Sequence, residues 1–294
     1  MALAATAVCA GARAQPPPAP AAKAASTSVA GVTVEGRKAI DIKKRFPSVV
    51  EKFVQSHEVD GPHGGLTRWM RPICPAVEGL TPEFNAFVYR RLLEVTAVVG
   101  APRSRPGACP TPNVMVVFTT AADQVMADVR ANHELLLGYH YPSDTKKLAT
   151  FEPPLKSWRV TASNGQIDDP ESIPVGSSTG RIRSGIVSEF VYVLVLVDPS
   201  LLEGQPIGRV ADNIAEHALS SPGSRKGCAA LPSILDALDM TCPASDTVEG
   251  LTDYDIALLK GLYRSEADTQ GNFQRGAVLR QILRDTKPPA LAGN

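Results

Sequence analysis

Aromatic residues are scarce in this 294-residue chain: two Trp, six Tyr and eight Phe, 5% in all. So few rings leave little from which to build a stacking platform for single-stranded nucleic acid. Excess charge of either sign is missing too. Thirty Lys and Arg balance thirty Asp and Glu, so no net field draws the chain to nucleic acid or to an anionic membrane. No apolar run reaches the roughly 18 residues that cross a bilayer as a helix, so no membrane span is expected. Cysteine is limited to five residues with no C-x-x-C, which argues against a zinc cluster built on thiolates.

What is there supports a core. The chain is 44% hydrophobic, enough at this length for one large core or two modest ones. The opening "MALAATAVCAGARAQ" carries a short apolar run and closes on Ala12-Arg13-Ala14, a small-x-small cleavage site before Gln15. Residues 1–14 therefore read as an export signal and the protein as periplasmic or secreted. Residues 15–38 begin Pro/Ala/Ser-rich and read as a disordered tether, in which "VTVEGRK" can add a short edge strand. No second linker of that kind follows, so residues 39–286 read as a single domain and residues 287–294 as a disordered tail.

Past the signal, four cysteines stand at 74, 109, 228 and 242. An even number in an exported chain suggests two disulfides. Three pairings are possible; the two local closures, Cys74 with Cys109 and Cys228 with Cys242, are the expected ones.

Periodicity supplies the elements. Thr81 and Pro82 open a helix that Gly100 stops, with Phe84, Phe87, Val88, Leu92, Val95 and Val99 on its apolar stripe. "RFPSVVEKFVQSH" is an earlier helix carrying Val49, Phe53 and Val54. "NVMVVFT" is a continuous apolar strand suited to a sheet centre, "KSWRVTA" a shorter alternating one, and residues 181–198 the longest, with a bend at Gly185. The fold class is α+β, a mixed sheet with backing helices and a small helical C-terminal part.

The segment "RVADNIAEHALSSPG" follows that longest strand. Ile207, Val210, Ala211, Ile214 and Ala218 fall at helical spacing and face a core. Asn213 and His217 stand four apart on the flank, the spacing of the two histidines in H-E-x-x-H. In that register the first ligand is an amide and the general base is Ile214, which can do neither job. Taking Glu216 as the base makes the ligands Ala215 and Leu219. The third ligand of the longer pattern falls on Gly223. Neither register holds zinc, and His217 reads as a half-buried residue satisfied by a neighbour.

Further along, "LTDYDIALLKGLYR" places Leu251, Asp255, Ile256, Leu259, Leu262 and Tyr263 where the C-terminal helix of metzincin-type metallopeptidases has its pattern. "PSILDAL" resembles the turn beneath the metal in that family, with Leu235 in place of its methionine. Strand, helix, turn and capped helix come in the family's order over residues 181–264. The resemblance implies a zincin-like scaffold; with the family's histidines and methionine missing it implies no hydrolytic site, no metal and no cofactor. The chain is also similar to a group of uncharacterised exported bacterial proteins sharing a helix that "VADNIA" matches. On the residues alone, Thr252 and Asp255 form a T-x-x-D capping box, and Leu251, Tyr254, Leu258 and Leu262 one apolar face.

Three other groups carry candidate chemistry. "GSSTG" matches G-x-S-x-G with Ser178 as nucleophile, but a loop precedes it and a strand follows, the inverse of the strand–elbow–helix that mechanism needs. His57 and His63 around "GPHGG" offer two imidazoles, and "HELLLGYHYP" offers His133, Glu134 and His140. Both read more simply as loop or helix-end residues. The expected function is an exported, non-catalytic protein that binds a protein, peptide or cell-envelope component. The alternatives are a zinc hydrolase with atypical ligands, His217 among them, and Glu216 as its catalytic residue, and a serine hydrolase using Ser178. On a zincin-like scaffold the strand ending near Asp198 is expected at a sheet edge. The helix over residues 205–220 packs against the sheet, with Asn213 and His217 facing a cleft.

Overall fold

The computed structural model describes residues 32–57, 64–105, 109, 111–138, 140–163, 186–220, 222, 227–243 and 247–289, with side chains from Lys43 onward. The expected signal segment, Ser178 with its loop, His63, Gly223 and the final residues lie outside these. Two compact units are distinguished, residues 1–40 and 41–294. Of the first, the described part is helical, Val32–Ile40.

The helices are α1 (Val32–His57), α2 (Pro82–Val99), α3 (Ala122–Asn132), a single turn α4 (Thr145–Leu148), α5 (Ile207–Leu219), α6 (Asp253–Arg264) and α7 (Gly271–Asp285). The strands are β1 (Pro75–Glu78), β2 (Val114–Phe118), β3 (Leu155–Ser163) and β4 (Ser188–Val197). They form one α+β molecule around a mixed sheet of order β1-β2-β4-β3. β1, β2 and β4 run parallel and β3 antiparallel. Among the described residues no helix is long and apolar enough to cross a membrane.

"VTVEGRK" is helical rather than a strand: it forms the start of α1. Three alternating residues carry only a slight strand preference, which context overrides. The second correction concerns β4. It lies inside the sheet, with Val193 registered on Val114 of β2 and on Arg159 of β3. Residues 193–197 of β4 are all buried because alternate side chains enter two separate cores. Val193, Val195 and Val197 join the large core with α1, α2, α5, α6 and α7. Leu194 and Leu196 join a smaller one with Met126, Val129 and Trp158. Burying each such side chain contributes roughly 1.5–3 kcal/mol, so the central position follows from the continuous apolar run.

The helix borders follow local rules. Gly100 ends α2 at φ 80°, a left-handed cap. Along α2 the buried positions are Val88, Leu92, Val95, Thr96 and Val99, while Phe84 stays exposed. Thr96 can enter the core because its hydroxyl donates to Leu92 O at 2.7 Å. Thr252 and Asp255 form the full capping box at the start of α6.

Cys74 is joined to Cys109 and Cys228 to Cys242, each with Cα atoms 5.5 Å apart. The first bond sits beside the start of β1, and the second closes the loop that carries the turn Ile234–Asp236.

Candidate functional site

α5 lies between the sheet, α2 and that turn, and is buried on nearly every side. Its polar residues therefore all need partners. Asp212 takes a two-point hydrogen bond from Arg91 of α2, at 2.5 and 3.0 Å, and a third from Leu251 N. Asn213, 2% exposed, donates its side-chain amide to Ile234 O at 2.6 Å. Glu216 is fully buried and accepts from the Ser220 hydroxyl at 3.0 Å. His217 places Nδ1 3.0 Å from Ser157 Oγ on β3.

Asn213 and His217, expected to face one cleft, take separate partners here. One reaches the turn and the other the edge strand, because α5 is wedged between the two and each side chain is held by its nearer wall. Two groups turned to separate partners do not converge on an ion. Among the described residues no cluster of three or more His, Cys, Asp or Glu is placed to hold a metal.

Beyond Asn213 lies a cluster that the residue spacing does not reveal. The Ser233 hydroxyl donates to Asp255 Oδ1 at 2.7 Å, and His57 Nε2 stands 3.0 Å from the same oxygen of Ser233. His57 Nδ1 is 2.8 Å from Phe53 O, an acceptor only, which places a proton on that nitrogen. Asp255 accepts further from Ile234 N and Thr252 N, both at 2.9 Å. Burial pushes the Asp255 carboxyl above its ordinary value, against the pull of these donors.

Serine, histidine and aspartate here have the composition of a hydrolytic triad and the wrong order. The serine stands between the other two and gives its proton to the carboxylate, while activation needs it to give that proton to the imidazole. Ser233 and Asp255 are fully buried and His57 is 1% exposed, so no substrate reaches the hydroxyl. The cluster ties the end of α1, the turn and the start of α6 together. Only the Thr252–Asp255 box marked it in the sequence, since Ser233 and His57 are 176 positions apart.

Arg68 is deeply buried too, 2% exposed. Its Nη1 donates to Leu262 O and to Ser265 O, neutralising carbonyls at the end of α6. Burial lowers the guanidinium to about 10, with the Tyr263 hydroxyl acting in the opposite direction, so Arg68 stays charged at neutral pH.

His133, Glu134 and His140 fall around an open surface depression. His140 Nε2 lies 3.0 Å from Thr145 Oγ1 and 3.3 Å from Glu134 Oε1, while His133 reaches only Asp128, at 4.0 Å. The Thr145 hydroxyl, and after it His140, hold the exposed Glu134 carboxyl below its ordinary value. This is a loop brace whose two imidazoles point to different carboxylates. His57, read from sequence beside His63, turns inward instead and uses both ring nitrogens on the protein. Compared with protein-family models, curated proteins and solved structures, the chain matches none.

Proposed function

We propose that this chain is an exported, non-catalytic binding protein on a degenerate zincin-like scaffold, taking a protein, a peptide or a component of the cell envelope. The observation that carries the reading is the commitment of α5. Asn213 is bound to Ile234 O and His217 to Ser157, so the two positions that bear zinc ligands in the resembled family act as structural ties. Ile214, at the position of that family's general base, is fully buried in the core. The order of β4, α5, the turn and capped α6 along the chain supports the scaffold, while the interior place of β4 and the parting of Asn213 and His217 depart from what it implied. Two disulfides support the oxidising compartment.

The test is metal analysis and peptide hydrolysis on full-length protein isolated from the periplasm. Dialysed protein is expected to hold no stoichiometric zinc, and His217→Ala to alter neither zinc content nor hydrolysis. Submicromolar zinc in a titration, lost in His217→Ala, would replace this reading with a zinc hydrolase. Labelling by a fluorophosphonate that Ser178→Ala abolishes would replace it with a serine hydrolase. Crosslinking in intact cells is expected to recover an envelope protein or peptide.

A further inference from the structure

We propose that the molecule holds one internal water molecule, bound between Thr67 and Ser220 at the C-terminal end of α5. The cavity lies behind His57, walled by Leu66, Leu258 and Val278, and Thr67 and Ser220 line it. It offers about 10 Å³ to the centre of a water molecule, which is the room one water needs and too little for a larger ligand.

The polar atoms call for that occupant. Thr67 is 2% exposed, and its hydroxyl meets no hydrogen-bond partner among the described residues. Leaving such a group unbonded costs about as much as a typical mutation removes. Ser220 is 3% exposed, and its single proton is committed to Glu216, to the carbonyl at 2.9 Å and the carboxylate at 3.0 Å. Its lone pairs are therefore the acceptors the cavity offers. A water that takes the Thr67 proton and donates to Ser220 Oγ satisfies both. Both nitrogens of His57 already have partners, and no carboxylate lines the cavity, so a cation has no ligands there. The water joins the segment before β1 to the C-cap of the helix that carries Asn213 and His217.

The experiment is a high-resolution crystal structure of the full chain together with Thr67→Ser and Thr67→Val, each also melted. An ordered water within hydrogen-bonding distance of Thr67 Oγ1 and Ser220 Oγ is expected in the parent and in Thr67→Ser, and its loss in Thr67→Val. The valine variant is expected to melt below both, although it has the shape of threonine. An empty cavity in the parent, or a valine variant as stable as the parent, would overturn the proposal. Should the valine variant fail to crystallise, cross-relaxation between water and the amides of residues 67 and 220 in solution gives the same decision.

Discussion

Asp255 joins the start of α6 to the turn at Ile234 and, through Ser233, to the end of α1. It caps α6, fixes Ile234 N and receives the Ser233 hydroxyl that His57 also touches. Asp255→Ala removes a cap, about 1 kcal/mol, and strands buried donors, about 1–3 kcal/mol more. A loss of roughly 2–4 kcal/mol in urea unfolding is expected; a loss under about half of that range would show that the turn is held elsewhere. The pH dependence has a definite sign. Burial raises the folded-state carboxyl above the unfolded value of about 3.9, so the folded state binds the proton more tightly. The group's favourable contribution is complete below that value and is lost as pH rises through the folded one. Asp255→Asn is expected to flatten this segment of the stability profile, followed by thermal melting across the acidic range. Half of this residue's role is legible in the sequence: the T-x-x-D box is local, whereas its bonds to Ser233 and Ile234 need the turn folded beneath it.

At the scale of elements, close approach decides what sequence leaves open. α6 and α7 pack through Gly261, where a Cβ would stand 2.8 Å from Val278 Cα and 3.2 Å from Gln281 Cβ. Gly261→Ala would raise helix propensity by about 1 kcal/mol, yet it pushes α7 away, costing roughly 1–3 kcal/mol. Thermal melting is expected to show a lower midpoint for Gly261→Ala and a higher one for Gly276→Ala, which gains the helix propensity without the clash. At Gly276 the nearest atom to an added Cβ is 3.3 Å away, at the flexible end of Arg280. The expected strand at residues 32–38 failed because three alternating residues prefer a strand only slightly. The expected edge position of β4 failed because a strand's place is set by its neighbours, and its parallel partner β2 stands 79 positions earlier in the chain.

For the molecule as a whole, the disulfides are the most general source of stability outside the core. They close loops with sequence separations of 35 and 14 residues. In the chain-entropy model these contribute about 4 and about 3 kcal/mol. Non-reducing peptide mapping is expected to return Cys74 with Cys109 and Cys228 with Cys242, and four free thiols or crossed peptides would contradict the structure. Reduction is expected to lower the melting midpoint. The pair Cys228→Ser with Cys242→Ser is expected to loosen the turn that Asn213 and Asp255 fasten, read as faster amide exchange at Ile234 and Leu235.

The amino-acid sequence by itself determined what short-range physics controls. That includes the helix ends at Gly100 and Thr252 and the apolar faces of α2, α5 and α6, and it favoured the local one of three cysteine pairings. These depend on neighbours within a few residues or on the cost of closing a loop. Tertiary structure alone decided where the polar side chains of α5 go. Spacing places Asn213 and His217 four apart on one flank, and whether they converge on an ion or part toward separate partners depends on what packs beside the helix. The Ile234 carbonyl and the Ser157 hydroxyl arrive there from elements 21 and 60 positions away. A buried polar group takes the partner that folding brings within reach, and that partner is not encoded in the helix itself.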